Sequence, residues 1–319
     1  MGKASAAKRD VSHRRQVTAR QAAARRAQAR GRMLLASGAI IAVIAVALTL
    51  VLVKVTAGSK PAAAPPADGP AGAALASVVT DVTTVPASVL DTIRAGSLSG
   101  DGIGSAGTSG GGYLAPVSGP ALTSGGKPEV IYLGADFCPY CAAARWPLIV
   151  ALSRFGTFSG LRTTRSAIAN GAGQPEPYPA TPTWTFYGSR YTSPYLTFTP
   201  VELQTSTPDP KTGGYTALQA PTAAQQELMT RYDPAGSIPF IDIGNAYVQM
   251  STLTPYGPQD LQNLTWSQIA AALHDPTSAL AQSIDGSANY LTAGLCKLTG
   301  NQPASACTPA VRALESQLG

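Results

Sequence analysis

Residues 129–155 read Glu-Val-Ile-Tyr-Leu-Gly-Ala-Asp-Phe-Cys-Pro-Tyr-Cys-Ala-Ala-Ala-Arg-Trp-Pro-Leu-Ile-Val-Ala-Leu-Ser-Arg-Phe, and this segment sets the architecture expected of the chain. The apolar residues 130–133 predict a short buried strand, which ends in a glycine turn. An apolar helix is expected to begin at or just before Cys138, because a proline such as Pro139 is well tolerated in a first helical turn. Cys138 and Cys141 would then lie together at the N-terminus of one helix.

A cysteine at a helix N-terminus has a defined chemistry. The free backbone N–H groups and the positive end of the helix dipole stabilise a thiolate and lower the pKa of the cysteine. Because only two residues separate Cys138 from Cys141, both sulfurs lie on one turn, where a disulfide bond can close and reopen. The sequence therefore predicts a redox-active dithiol at the tip of the helix, within reach of solvent.

A Cys-x-x-Cys pair can also be half of a zinc site or an inert structural disulfide. Zinc requires two further ligands at comparable spacing. The two histidines are His13, in a charged tail, and His274, while the remaining cysteines do not form a second Cys-x-x-Cys pair. The dithiol is therefore the favoured interpretation, and neither a metal nor a cofactor is expected.

The run Ala-Asp-Phe-Cys-Pro-Tyr-Cys at 135–141, followed by a helix with the internal proline Pro147, resembles the active-site segment of the thioredoxin superfamily. Its Pro-Tyr dipeptide is similar to that of glutaredoxins, and its proline-first pattern is similar to that of DsbA-type oxidases. Residues 236–244, Gly-Ser-Ile-Pro-Phe-Ile-Asp-Ile-Gly, resemble the superfamily loop in which a cis-proline faces the dithiol. Over residues 75–315 the chain is similar to a membrane-anchored thioredoxin-like family of unknown function from actinobacteria and archaea.

The resemblance implies an α/β fold with a thioredoxin-like central sheet flanked by helices. It also implies that Cys138 and Cys141 are the catalytic pair and that Ile238 and Pro239 bind the substrate backbone.

The charged residues near the dithiol depart from the thioredoxin pattern. Counting back from Cys138, Tyr132 stands where thioredoxins have a buried aspartate. Asp136 is nearer but is expected to be exposed on the loop, and Arg145 stands one turn after Cys141. Proton transfer at the dithiol is therefore expected to rely on water.

The overall charge of +6 belongs to the N-terminal tail. Residues 1–32 contain ten Lys/Arg and one Asp, a net +9, so the rest of the chain carries −3. Residues 33–53 are 21 uncharged residues, long enough to cross a bilayer as a helix, and the basic flank predicts a cytoplasmic N-terminus. A cleaved signal peptide is the competing interpretation, with residues 55–57 as its cleavage site. The tail has no aromatic residue to stack on bases, so no nucleic-acid partner is expected.

Residues 165–222 interrupt the strand–helix rhythm and are rich in Pro, Gly, Tyr and Thr. Strands are expected at 183–187 and 195–203, the first in the central sheet and the second in an insertion. A hairpin is expected after the proline loop, with strands at 238–243 and 246–250. The expected domains are a basic cytoplasmic tail (1–32), a transmembrane helix (33–53), a flexible linker (54–75) and an extracytoplasmic thioredoxin-like domain (76–319), with an insertion at about 165–222 and a helical C-terminal part at about 265–319.

Cys296 and Cys307 enclose ten residues between the last two expected helices. In an oxidising compartment this pair is expected to form a structural disulfide. A second redox pair is the alternative, although no helix start lies beside it.

These features predict a membrane-tethered, extracytoplasmic thiol–disulfide oxidoreductase. Cys138 would be the nucleophile and Cys141 would resolve the mixed disulfide. The expected partners are thiols or disulfides of secreted or envelope proteins and a membrane redox partner that recycles the site. Two other functions stay open: a binding or scaffold module without turnover, and a copper-handling module, for which nearby Met or His ligands are lacking.

Overall fold

The computed structural model describes residues 69–98, 113–250 and 256–318, all within one unit of residues 62–319. The tail and the hydrophobic segment 33–53 lie outside the described residues. In chain order the helices are α1 (Gly72–Thr83), α2 (Ala87–Ile93), α3 (Pro139–Ser153), α4 (Ala223–Tyr232), α5 (Trp266–Ala272), α6 (Ala279–Leu298) and α7 (Pro309–Glu315). The strands are β1 (Ala115–Pro116), β2 (Thr123–Ser124), β3 (Lys127–Gly134), β4 (Thr157–Ser159), β5 (Arg162–Arg165), β6 (Pro182–Thr185), β7 (Arg190–Thr192), β8 (Thr197–Glu202), β9 (Gln204–Asp209), β10 (Gly214–Ala217), β11 (Phe240–Ile243) and β12 (Tyr247–Met250).

The strand before the two cysteines, β3, is the centre of a mixed sheet. It pairs antiparallel with β11 on one edge and parallel with β8 on the other. β12 continues the sheet beyond β11, and β1 pairs with β12. From Val130 to Gly134 every residue of β3 is buried, as expected of a strand covered on both faces. The expected α/β class, a central mixed sheet with flanking helices, is confirmed.

The helix that carries the dithiol, α3, is apolar along most of its length because it lies inside the molecule. Pro147 has no N–H to donate to the carbonyl of Ala143, four residues earlier. The Tyr256 hydroxyl donates to that carbonyl instead, so the internal proline leaves no buried acceptor without a partner. Trp146 donates its indole N–H to the Pro182 carbonyl at 3.1 Å, which joins α3 to β6.

The long helix α6 packs against α3, α2 and α7. Asn289 of α6 donates to the carbonyls of Leu90 and Arg94, each at 2.8 Å, and so joins α6 to the end of α2. Gly286 allows the close contact beside it, since a Cβ there would lie 2.5 Å from the Ala95 carbonyl oxygen.

Two expectations about the order of elements need correction. Among the described strands, β6, which was expected in the central sheet, pairs only with β5. The strand that pairs parallel with β3 in the central sheet is β8. The segment 165–222 is therefore not wholly an insertion, because it supplies a central strand. The linker expected at 54–75 is also too long at its end, since α1 begins at Gly72.

Within the part of the chain that the structure describes, no single helix is both long and apolar enough to cross a membrane. One pair of helices bent by 52°, Gly72–Thr83 with Ala87–Leu98, meets the criteria of length and composition together.

Candidate functional site

The dithiol lies where a strand of the sheet passes into a helix. Cys138 is the N-cap of α3, with φ −75° and ψ 121°, and Pro139 is the first residue of the helix. The backbone N–H of Cys141 donates to the Cys138 sulfur at 3.2 Å, so the sulfur occupies the place of a capping oxygen. Both cysteines are free thiols.

The two thiols are more enclosed than the sequence led us to expect. Cys138 is 5% exposed and Cys141 is fully buried. Segments distant in sequence contact the residue before Cys138: the Ala167 N–H donates to the Phe137 carbonyl at 2.9 Å, and the Phe137 ring stacks on Tyr215 of β10. Solvent therefore reaches Cys138 through a small opening and does not reach Cys141.

The surroundings separate the acidities of the two thiols. Burial opposes the Cys138 thiolate, but hydrogen bonds from the Cys141 side chain and backbone, together with the Arg145 charge, lower the pKa of the Cys138 thiol overall. Burial raises the pKa of the Cys141 thiol well above its ordinary value, and its contact with Cys138 raises that pKa further. Cys138 therefore has the properties of a nucleophile. Cys141 stays protonated as long as the Cys138 sulfur beside it keeps its charge and bonding.

The loop before β11 brings a backbone carbonyl to the nucleophilic sulfur. The Ile238–Pro239 peptide bond is cis. The Cys138 sulfur lies 3.8 Å from the carbonyl oxygen of Ile238. Asp233 fixes the start of the loop by accepting hydrogen bonds from the N–H groups of Ala235 and Ser237. The four residues expected at the site are therefore brought together.

A buried charged cluster lies beneath the dithiol, and the sequence did not predict it. The Arg145 guanidinium donates two hydrogen bonds to Glu202 of β8, at 3.0 and 2.7 Å. Asp136 lies 3.6 Å from the same guanidinium. All three side chains are fully buried, so the expectation that Asp136 is exposed was wrong. The backbone explains this, since the Asp136 N–H donates to the Gln204 carbonyl and the loop is held against the β8–β9 connection.

The Asp136 carboxyl is the member of the cluster that titrates near neutral pH. Burial and the neighbouring Glu202 carboxylate raise the pKa of Asp136 to about 7, although Arg145 acts in the opposite direction. Its charge therefore changes within the range in which thiol chemistry is usually studied. Water is not the sole candidate for proton transfer at the dithiol, since a buried carboxyl lies in the same cluster as Arg145.

Tyr132 is fully buried and packs rather than ionises. Its ring makes an edge contact with Phe186 at 5.1 Å, and the Arg145 guanidinium lies over it at 5.6 Å. Burial raises the pKa of the Tyr132 hydroxyl well above its ordinary value.

One sequence signal could have revealed the cluster. Arg145 is the only charged residue of α3, and its neighbours on every side of the helix are apolar. A helix with apolar residues all round is buried, and a buried guanidinium requires a carboxylate partner. The partner itself, Glu202, lies 57 residues away and has no local signature.

The remaining expected residues lie away from the dithiol. Cys296 and Cys307 are joined by a disulfide, with their Cα atoms 5.7 Å apart. His274 contacts the Asp81 carbonyl at 2.9 Å, which is a structural contact between the turn after α5 and α1. Among residues 69–98, 113–250 and 256–318, no group of three or more His, Cys, Asp or Glu side chains is placed to hold a metal ion.

Fold and site together define an α/β protein with an enclosed dithiol at a helix start. A family model, "Domain of unknown function (DUF929)", matches residues 113–297. Because this match covers more than half of the chain, the protein belongs to the DUF929 family. The matched region includes the dithiol, the buried charged cluster and the cis-proline loop. No curated protein and no solved structure matches the chain.

Proposed function

We propose that the protein is a thiol–disulfide oxidoreductase that uses Cys138 and Cys141. The observation that carries the proposal is the contact between the Cys138 sulfur and the Ile238 carbonyl of the cis peptide. Two thiols with different acidities lie at one helix start, and a backbone edge that can bind an extended substrate lies beside the more acidic thiol.

The topology supports a thioredoxin-like version of the α/β fold. A strand, the dithiol helix and a parallel strand are followed by the cis-proline loop and an antiparallel hairpin. The dithiol helix after a strand, and the cis-proline loop before a hairpin, are the parts of this order that the sequence resemblance implies. In the proposed fold, β9 and β10 and the loop at 166–181 are additions around the dithiol, and α5 to α7 are a C-terminal extension.

The reaction we propose is a two-step exchange. The Cys138 thiolate attacks one sulfur of a substrate disulfide, a Cys138–substrate bond forms, and the substrate's other sulfur leaves as a thiolate that takes up a proton. Cys141 then loses its proton and attacks the Cys138 sulfur, which releases the second substrate thiolate. Two electrons pass from the dithiol to the substrate, and the reverse sequence donates a disulfide.

The Asp136 carboxyl is suited to the second step, because Cys141 has no contact with solvent. With a pKa of about 7, Asp136 can both accept and return a proton near neutral pH. Arg145 connects the two groups electrostatically, since its charge favours both the Cys141 thiolate and the Asp136 carboxylate.

We propose that this domain is tethered on the outer face of a membrane by residues 33–53, with the basic tail in the cytoplasm. The support is the sequence: 21 uncharged residues follow a segment of net charge +9. The proposed partners are thiols and disulfides of secreted or envelope proteins and a membrane redox partner. The Cys296–Cys307 disulfide is compatible with an oxidising compartment.

The second candidate function is a binding or scaffold module of the cell envelope without turnover. The near-complete burial of Cys138 favours it, because a thiol that is 5% exposed meets few partners. A redox titration separates the two functions. The full-length chain is equilibrated in a glutathione series, quenched, alkylated and examined by mass spectrometry for the Cys138/Cys141 pair. A midpoint within the range of catalytic dithiols, roughly −120 to −270 mV, supports the oxidoreductase, whereas a midpoint below about −300 mV supports the scaffold.

Single cysteine variants test the assigned roles. In Cys141→Ser the mixed disulfide on Cys138 cannot be resolved, so this variant should accumulate covalent adducts with disulfide-containing polypeptides. Cys138→Ser is the matched control and should trap none, because Cys141 is buried. Adducts are counted on non-reducing gels that are repeated under reducing conditions. Equal trapping by the two variants would contradict the assignment of Cys138 as nucleophile.

A further inference from the structure

The residue before Cys138 takes part in an aromatic contact that the proposed reaction does not use. Phe137, the residue before it, stacks on Tyr215 with ring centroids 4.1 Å apart and planes 11° from parallel. The Tyr215 hydroxyl donates a hydrogen bond to the Glu176 carboxylate. Tyr215 is 6% exposed, and its side chain is held by the Phe137 ring and by the Glu176 carboxylate. We call Phe137, Tyr215 and Glu176 the aromatic wall.

The loop that carries the acceptor carboxylate is fastened to its surroundings through the backbone. The Ala167 N–H donates to the Phe137 carbonyl, and the Gly171 N–H donates to the Gly214 carbonyl, each at 2.9 Å. A Cβ on Gly171 would lie 2.0 Å from the Asp209 carbonyl oxygen, so loop and hairpin are in direct contact. The three residues of the aromatic wall therefore belong to segments whose backbones are in direct contact, which fixes their positions relative to one another.

The cis-proline loop lies on one side of the sulfur, with the Ile238 carbonyl 3.8 Å away. On the other side, the Phe137 ring directly precedes Cys138 in the chain and stacks on Tyr215. Burial and the Glu176 contact raise the pKa of Tyr215, and the Cys138 charge raises it further. Cys138, between the cis-proline loop and Phe137, is 5% exposed. A substrate disulfide must present one sulfur through this opening for attack by the thiolate.

We propose that the aromatic wall determines specificity: it admits slender disulfides, carried by a small molecule or by an extended polypeptide segment, and excludes disulfides on the surface of folded proteins. This inference rests on the proposed function and adds its substrate class.

The test uses the full-length Cys141→Ser variant and three disulfides of thionitrobenzoate, with free cysteine, with an unstructured cysteine peptide and with a folded protein bearing one surface cysteine. In each reaction the Cys138 thiolate forms a new disulfide with the probe's cysteine sulfur, and the coloured thionitrobenzoate leaves with the electron pair. We expect the folded probe to react at least about tenfold more slowly than the other two, because misplacement of reacting atoms is costly. The cysteine and peptide probes distinguish the two sources of a slender disulfide.

Three further substitutions in this background test the wall itself. Tyr215→Ala should raise the rate with the folded probe about tenfold relative to the rate with the cysteine probe, whereas Glu176→Gln, which keeps the ring, should give a smaller rise in the same ratio. Lys211→Ala, an exposed position on the same hairpin, is the control and should change neither rate. Circular dichroism of each variant checks that the fold is retained, and Glu176→Gln remains informative if Tyr215→Ala loosens the hairpin.

Equal rates for all three probes in the parent variant would overturn the inference and leave the proposed function standing. If Tyr215→Ala and Glu176→Gln both keep the parent's ratio of rates between the folded and the cysteine probe, the inference is likewise overturned and the proposed function stands. If not even the cysteine probe reacts, both the inference and the proposed function are contradicted.

Discussion

Asp136 shows how burial changes the chemistry of one residue. Its carboxyl lies 3.6 Å from the Arg145 guanidinium, while the nearby Glu202 carboxylate takes both hydrogen bonds of that cation. Burial raises the pKa of Asp136 to about 7, whereas the unfolded chain is expected to have the usual value of about 3.9. The folded state therefore binds more protons than the unfolded state between these two values.

Asp136→Asn should consequently change the pH dependence of stability. Where the folded state binds more protons, the free energy of unfolding falls as pH rises, so the wild type should lose stability between about pH 4 and pH 7. The variant lacks this contribution and should be about as stable as the wild type at pH 4 and more stable at pH 8, by up to about 4 kcal/mol. Urea unfolding under reducing conditions at several pH values measures the difference.

Other raised carboxyls, such as Asp242 with a pKa of about 6, contribute equally to both proteins and cancel in this comparison. A constant difference between wild type and variant from pH 4 to pH 8 would mean that the folded state does not shift the Asp136 pKa.

At the scale of elements, the Arg145–Glu202 ion pair joins α3 to β8 across the buried face of the sheet. Both side chains are fully buried, and Glu202 also accepts from the Phe186 N–H at 3.2 Å. A buried ion pair adds little net stability, but the removal of one partner leaves an uncompensated charge. The same guanidinium lowers the pKa of the Cys138 thiol, after the hydrogen bonds from Cys141.

Arg145→Met should therefore have two separable effects. The stranded carboxylate should cost about 3–5 kcal/mol in the free energy of unfolding, and the double variant Arg145→Met/Glu202→Gln should recover most of it. Both variants should raise the pKa of Cys138, measured as the pH dependence of its alkylation by iodoacetamide. Arg231→Met in α4, whose exposed partner is Glu227, is the control and should cost less than about 1 kcal/mol.

A double variant as unstable as Arg145→Met would mean that the ion pair is not the source of the loss. An unchanged alkylation profile in both variants would separate Arg145 from the dithiol.

The elements that the sequence predicted well are those with local signals. Pro139 after an apolar strand marked the start of α3, the capping-box spacing at Thr265 marked α5, and residues 223–232 form the helix expected there. A strand was expected at 195–203, but its place beside β3 was missed, because its parallel partner lies about seventy residues earlier in the chain. The contacts around Cys138 were missed for the same reason, since the Tyr215 ring that stacks on the neighbouring Phe137 comes from a distant hairpin.

At the scale of the whole molecule, the C-terminal part of the chain packs against α3, the helix that carries the dithiol. α6 packs on α3, and the Cys296–Cys307 disulfide fastens the end of α6 to the segment before α7. Arg154, at the end of α3, donates to Asn289 at 3.0 Å and to the Ala306 carbonyl at 2.7 Å, so the segment beside Cys307 also contacts α3. The disulfide is therefore placed to stabilise this packing, at a distance in the sequence from the reactive pair.

Cys296→Ala/Cys307→Ala should lower the free energy of unfolding by about 3 kcal/mol, the chain-entropy value for a loop of this length. The redox midpoint of Cys138/Cys141 and the alkylation pKa of Cys138 should not change, because the main causes of the Cys138 pKa shift are burial, Cys141 and Arg145, not the disulfide. Urea unfolding measures the first effect and the glutathione titration the second. The wild type provides the internal control: Cys296 and Cys307 should stay oxidised across the interval in which the dithiol titrates. If instead they are reduced together with Cys138 and Cys141, or if their removal shifts that midpoint, the disulfide is a second redox pair that exchanges electrons with the first.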